Sequence, residues 1–381
     1  MLNVKSLLQN MQFPPGAEEM FKKSTPRPTS WDDIIGNEAT VAEIREATTA
    51  ALKLGRQAPH TLLFGPPGFG KTTLSRLIAQ EMGGRFIETS ASMFESMDDL
   101  IRVVWDANDG YDDTKHPSVI FIDEIHGIAP AAGRTRIDQE ALYPLLEDFF
   151  LPHNRVHKKV TGTNGREYIV KTPIIPCWPL TIVGATTDPG LLSAALRRRF
   201  LLQVHIRPYT ESEIARVILG SAERLEWPIE QDAAYELARY SRCAPGRSYQ
   251  LLQSVRSRAV ATDQATISLE VVSAVIDRMN LYPLGLDETD VKILKILSNR
   301  PKGAGMAELS RAVNISQNQF YELSEPWLRQ LALLETLHRR VITKRGLVYL
   351  ATIGEISSDR DDVKAAMETE AYFVDVIHGH R

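Results

Sequence analysis

The sequence predicts an α/β protein: a parallel-sheet domain carrying a phosphate loop, then a helical lid, then a winged helix. Three observations carry that expectation. Residues 61–73 (Thr-Leu-Leu-Phe-Gly-Pro-Pro-Gly-Phe-Gly-Lys-Thr-Thr) set an apolar run directly before a Gly-rich turn. Residues 119–124 (Val-Ile-Phe-Ile-Asp-Glu) are an apolar run closed by two carboxylates. Beyond residue 210 the chain turns wholly helical, and two short strand-like stretches appear only at 333–337 and 340–343.

Leu62, Leu63 and Phe64 suit a buried parallel strand. In the loop after it, Gly65, Gly68 and Gly70 lack Cβ, so backbone N–H groups can approach phosphate oxygens closely. Lys71 supplies a cation for the β and γ phosphates, and the Thr72 hydroxyl suits a magnesium ligand; Thr73 completes the binding run. Leu74, Leu77, Ile78 and Met82 then recur at helical spacing, so a helix N-terminus faces the anion. Asp123 and Glu124 end a run too continuously apolar for an exposed edge. Asp123 is expected to order the magnesium shell and Glu124 to polarise the attacking water. ATP and Mg²⁺ are the implied cofactors.

Candidate strands at 61–64, 85–89, 118–122, 180–185 and 202–205 alternate with helical stretches, the pattern of a parallel sheet between helices. The expected organisation is an N-terminal arm (1–30), a large ATPase domain (31–206), a helical lid (207–283), a winged-helix domain (284–350) and a polar tail (351–381). Thr210-Glu-Ser-Glu213 reads as a capping box, with Asp232 and Ser268 as later caps. Asp287 is expected to open a helix, Gly305–Val313 to hold a second, and Ser316 to cap a third that runs past Trp327. Three helices and a hairpin are the order of a winged helix-turn-helix; a helical protein-docking domain is the other reading of this pattern.

Hydrophobic content of 43% and charged content of 24% are ordinary for a globular chain of 381 residues. A formal net charge of −4 excludes a globally basic coat, so any DNA contact must be local. No run is long enough to span a bilayer and the first residues lack a signal-peptide layout, so no membrane association is expected. Cys177 and Cys243 are too few for a metal site and fit a cytoplasmic setting.

Several runs together resemble the RuvB family, the hexameric AAA+ motors of Holliday-junction branch migration in bacteria. They are the phosphate loop, Asp123-Glu124-Ile125-His126, Leu142-Tyr143-Pro144 with Glu147-Asp148-Phe149, Gly184-Ala-Thr-Thr187 and Gly190-Leu191-Leu192-Ser193. Gly285-Leu286-Asp287-Glu288 and Glu325-Pro326-Trp327-Leu328 extend the likeness, which covers roughly residues 25–350. The resemblance implies an ATP-dependent DNA translocase that acts on four-way junctions or duplex DNA as a homo-oligomeric, hexameric ring. It puts Thr187 at the first sensor and makes Arg199 the arginine finger that reaches the next subunit's γ-phosphate. Arg27, Ile34, Ile35 and Tyr209 fall on the segments that hold the adenine, and Arg339 and Arg340 on a DNA-contacting basic turn.

The chain also departs from the pattern. The second-sensor arginine follows a Thr-Pro in the family, whereas here the run is Cys243-Ala-Pro245-Gly246-Arg247. Arg247 is the expected replacement, although a one-residue shift rotates a helical side chain by about 100°. Extra residues follow His126, and an enlarged hairpin is expected over 150–175, where the resemblance implies docking of a RuvA-type partner. In the wing, Thr336 replaces one arginine, and Lys344 and Arg345 are candidates to compensate. A clamp-loader-like ATPase, lacking here the Ser-Arg-Cys finger motif, is one alternative; a nucleotide-gated DNA-binding regulator of a mobile element or defence system is the other.

Overall fold

The computed structural model describes residues 26–109, 116–128, 137–161 and 167–379. Most of the expected N-terminal arm, most of the inserted stretch after His126 and the turn of the 150–175 hairpin lie outside the described residues. The chain divides into two compact units, Met1–Tyr209 with Ala244–Gly246, and Thr210–Cys243 with Arg247–Arg381.

In the first unit, β1 (Thr61–Phe64), β2 (Phe86–Ser90), β3 (Ser118–Asp123), β6 (Leu180–Thr186) and β7 (Leu202–His205) form one sheet in the order β2-β3-β6-β1-β7. Every pair in it is parallel. Side chains alternate between two cores, as a period of two requires. Leu62, Ile120, Ile122 and Ile182 enter one core; Leu63, Val119, Phe121 and Val183 enter the other. The second core is covered by α1 (Glu38–Lys53) and α2 (Lys71–Met82), the first by α3 (Met97–Asp109), α4 (Tyr143–Glu147) and α5 (Ala194–Arg199). Between α4 and β6, β4 (Phe150–Thr161) and β5 (Glu167–Pro176) pair as an antiparallel hairpin with a register shift between Pro152 and Val156.

The second unit opens with α6 (Glu211–Arg224), closed at its start by a reciprocal box: Glu213 N–H donates to Thr210 Oγ1 (3.2 Å) and Thr210 N–H to Glu213 Oε2 (2.7 Å). α7 (Gln231–Arg239) starts after Glu230, so Asp232 sits in its first turn rather than capping it. α8 (Pro245–Ala261) and α9 (Leu269–Arg278), the latter capped by Ser268, complete the lid. The winged helix follows: α10 (Glu288–Ser298) capped by Asp287, α11 (Met306–Ala312), a third helix assembled from Gln317–Gln319, a π-helical turn Phe320–Ser324 and α12 (Glu325–Gln330), and the wing strands β8 (Leu334–Thr336) and β9 (Arg340–Ile342).

The expected polar tail is instead largely structural. After α13 (Lys344–Thr352), α14 (Asp361–His378) puts Ala366, Phe373 and Ile377 into the same core as Leu294, Leu328 and Tyr349. Its acidic first turn, Asp361 and Asp362, suits the positive end of a helix. Phe373→Ala is therefore expected to lower the stability of the second unit by about 3–5 kcal/mol, read as a shifted denaturation midpoint; a shift within error would place α14 outside the cooperative core.

Candidate nucleotide site and charged clusters

α2 begins at Lys71 with left-handed Gly70 (φ 89°) before it, and Gly68 is left-handed too (φ 79°). Turns of this kind point successive N–H groups into one concavity that suits an anion. Gly65 has no room for a side chain, since a Cβ there would lie 2.7 Å from the Ile206 carbonyl oxygen. Lys71 folds across the loop, its Nζ donating to the carbonyls of Gly65 (2.8 Å) and Pro66 (2.9 Å). Burial lowers its pKa, while Glu124 and Asp123 pull the other way. Thr72 and Thr73 occupy the first turn of the same helix, half-buried.

Asp123 closes β3 beside Ser90 of β2. Burial, and then the neighbouring Glu124 charge, raise its pKa, with Lys71 opposing. Glu124 adopts a left-handed backbone (φ 46°, ψ 47°). That costs a non-glycine residue of order 1–3 kcal/mol and swings its side chain off the strand line. Glu124 Oε2 accepts from Thr187 N–H (3.3 Å) and Thr187 Oγ1 (3.2 Å) and lies 3.1 Å from His126 Nδ1. His126 Nδ1 also lies 2.8 Å from Thr186 Oγ1, which accepts from Asp188 N–H (3.1 Å). Lys71, Asp123, Glu124 and Thr187 are thus brought to one mouth of the sheet. His126 joins them; its signal was its fixed place in Asp-Glu-Ile-His.

Beside the loop, Tyr209 meets Phe69 edge to face (6.1 Å, 85°), and a Cβ on Gly70 would lie 3.9 Å from its hydroxyl. Ile34 packs on the α1–α2 core and Ile35 is half-buried. Asn37, not singled out from sequence, ties this edge together: its Oδ1 accepts from Arg207 N–H (2.9 Å) and its Nδ2 donates to the Arg207 carbonyl (3.3 Å). Arg27 lies beside the later turns of α2. It lines a cleft with Arg76, Gln80 and Phe86, and Gln80 Nε2 donates to the Thr29 carbonyl (2.8 Å). At 1.5 Å per residue, that part of α2 is on the order of 10 Å beyond Lys71.

Arg199 ends α5 on partners from its own chain. Its Nη1 donates to the Ala195 carbonyl (2.8 Å), its Nε lies 3.0 Å from Glu147 Oε1, and its guanidinium lies over the Tyr143 ring (3.8 Å). The Tyr-Pro and Glu-Asp-Phe run therefore forms the seat of this arginine. Arg247, the expected second sensor, is seated on carbonyls of its own unit. Its Nε donates to the Tyr240 carbonyl (3.3 Å) and its Nη2 to the Gly285 carbonyl (3.4 Å), both inside the second unit. Burial and then the neighbouring Arg242 lower its pKa to about 10. The rotation that follows from a one-residue shift is not undone by Gly246. Arg242 anchors the same corner, donating to the Gly285 carbonyl (2.8 Å) and to Asp287 Oδ2 (3.1 Å) and pairing with buried Asp290.

The wing arginines, expected at a DNA-contacting turn, both pair with carboxylates of their own chain. Arg340 makes a two-pronged pair with Glu325, Nε to Oε1 and Nη2 to Oε2, both 3.0 Å. The two side chains are only 16% and 4% exposed. Thr336 Oγ1 donates to the same carboxylate (2.6 Å). Arg339 pairs with Glu308 (3.0 Å), which also takes Arg300. Arg345 pairs with Glu370 (2.8 Å) and lies over Tyr372 and Phe373.

The donor set at the sheet mouth fits a nucleoside triphosphate with magnesium: an N–H nest, a buried lysine, a hydroxyl at Thr72 and a carboxylate at Asp123. No cluster of three or more His, Cys, Asp or Glu that would cage a metal exists among the described residues. Magnesium sites built with phosphates need no such cage. Sheet order, loop and carboxylates define a P-loop ATPase of the AAA+ class.

Comparison with known proteins narrows this further. Family models for the RuvB P-loop domain, the RuvB AAA lid domain and the RuvB C-terminal winged-helix domain match residues 26–206, 209–281 and 283–351 in succession. The chain is 33% identical over 324 residues to the Holliday junction branch migration complex subunit RuvB of Nitratiruptor sp., covering 85% of this chain and 90% of that one. It is 31% identical over 329 residues to the Helicobacter pylori subunit, with 86% and 91% covered. The solved Thermotoga maritima RuvB branch migration motor superposes with a TM-score of 0.70 at 30% identity, covering 85% of this chain and 98% of that one. The chain belongs to the RuvB family.

Removing one member of a buried ion pair costs about 3–5 kcal/mol. Arg340→Ala is accordingly expected to destabilise the winged helix by that order, while the salt dependence of DNA binding keeps its slope. A preserved melting midpoint with a slope reduced by about one would instead make Arg340 a phosphate contact.

Proposed function

We propose that this chain is an ATP-driven DNA motor of the RuvB type, assembling into a hexameric ring that moves Holliday-junction branches during recombination and repair. The observation that carries the reading is the unbroken succession of three family domains on one chain, the first of them with its nucleotide-site residues gathered at the sheet mouth. Neither the clamp-loader reading nor the regulator reading gains support from any of these matches. The enlarged β4–β5 hairpin suits a RuvA-type partner, and the DNA substrate places the work in the cytoplasm.

In this reading Gly65, Gly68, Gly70, Thr72 and Thr73 cradle the phosphates of ATP, and Lys71 turns from its two carbonyls to the β and γ oxygens. Thr72 and Asp123 hold the magnesium, which neutralises phosphate charge when bound. Ile34, Ile35 and Tyr209 form an apolar edge for the base. Glu124, held by Thr187 and His126, orients the attacking water and accepts its proton, Thr187 serving as the first sensor. Arg199 turns from Glu147 to the γ-phosphate of the adjoining copy, so each site is completed only in a ring.

Glu124→Gln is expected to bind ATP as tightly as the parent and to lose turnover by about 100-fold or more; an unchanged rate would remove Glu124 from the chemistry. Arg199→Ala should retain nucleotide and ring formation yet lose at least about 1000-fold in hydrolysis. The motor itself is tested by ATP-dependent strand exchange on a synthetic four-way junction, with and without a RuvA-type protein. Binding without displacement in both cases would contradict it.

A further inference from the structure

Gly246 stands where the family resemblance places an arginine, and the structure leaves little room for a side chain there. Gly246 N–H donates to the Gly68 carbonyl of the phosphate loop (2.9 Å). A Cβ on Gly246 would lie 3.0 Å from Gly68 Cα and 3.2 Å from Gly68 O. Both glycines belong to the first unit, so the contact is part of the nucleotide-binding body itself.

Each partner answers a need of the other. The first N–H groups of a helix have no intrahelical acceptor. Pro245, first residue of α8, has none to offer, so Gly246 carries the first such donor. Gly68, on the loop side, is left-handed, and its carbonyl is taken by the Gly246 N–H. A trans peptide is planar, with its C=O and N–H opposed. Fixing the Gly68 carbonyl on Gly246 therefore fixes the Phe69 N–H in the opposite direction. The Phe69 ring, held edge-on by Tyr209, keeps the same peptide from turning.

We infer that Gly246 is a positioning residue of the phosphate loop: its backbone N–H locks the Gly68–Phe69 peptide with the Phe69 N–H turned toward bound phosphate, and this backbone peg occupies the place of a second-sensor side chain. The inference rests on the nucleotide-binding reading above and deepens it. Position 246 then contributes no positive side chain to the γ-phosphate, in keeping with the seat of Arg247 on Tyr240 and Gly285.

Gly246→Ala keeps the donor but presses the two backbones apart by a few tenths of an ångström; Gly246→Pro deletes the donor within the first turn of the helix, where a missing N–H breaks no intrahelical bond. Both are titrated with N-methylanthraniloyl-ADP and assayed for ATP hydrolysis. The expected result is a Kd raised about tenfold, roughly 1.4 kcal/mol, a matching rise in KM for ATP, and kcat within about twofold at saturation. An unchanged Kd, or a fall in kcat with KM unmoved, overturns the peg. Amide exchange on the unaltered chain gives an answer that does not depend on the variants folding: Gly246 N–H is expected to be protected, and more so with ADP, and exchange at the rate of an open amide overturns the proposal. If the unaltered chain itself failed to bind the labelled nucleotide, the nucleotide reading would fall. Binding by the parent with unaltered variants removes only the peg.

Discussion

The rest of the structure depends on bringing one buried cation and two carboxylates to the same end of a parallel sheet without letting them neutralise one another. Lys71 donates to loop carbonyls, Asp123 is held at the strand end with a raised pKa, and Glu124 is turned aside to Thr187 and His126. A closed Lys–Asp pair would be the simplest electrostatic answer at this mouth. The structure avoids it by giving each charge a separate neutral or weakly charged partner. Those partners are weaker than a phosphate or a metal ion, so a bound triphosphate can displace them. The left-handed backbone at Glu124 goes with a carboxylate turned to Thr187 and His126.

The second unit solves a different charge problem. Its arginines are largely internal fasteners: Arg242 gathers Gly285, Asp287 and Asp290, and Arg340 gathers Glu325, which also takes Thr336. Lid and winged helix are joined through Arg242, and the wing is fixed to its third helix through Arg340. Burying charge this way stabilises little, but breaking it leaves an uncompensated ion, which specifies one arrangement of the helices. The unit behaves as a stiff body bolted by ion pairs, with α14 filling its core.

Much of this was legible in the sequence, and the reason is local. The strands of the first unit are runs such as Val119–Ile122, apolar on both faces, and the loop and capping residues act within a few positions of themselves. What escaped reading depends on partners far away in the chain. Nothing around Arg340 announces Glu325, and nothing around Arg242 announces Asp290. Arg247 could be questioned from spacing alone, but nothing around it announces the Tyr240 and Gly285 carbonyls. The burial of the C-terminal helix escaped for another reason. Its acidic start drew attention away from Val363, Ala366, Phe373 and Ile377, which share one buried face. Asn37 gave no signal beyond its residue type.

The central claim is that a triphosphate held at this mouth is cleaved only when an adjoining copy contributes its arginine. The most direct measurement is specific hydrolysis rate against protein concentration, with assembly followed in parallel by mass photometry. The account predicts a rate per chain that climbs steeply as rings form and climbs further with junction DNA. A rate per chain that stays constant down to strictly monomeric protein, indifferent to added polynucleotide, would contradict it.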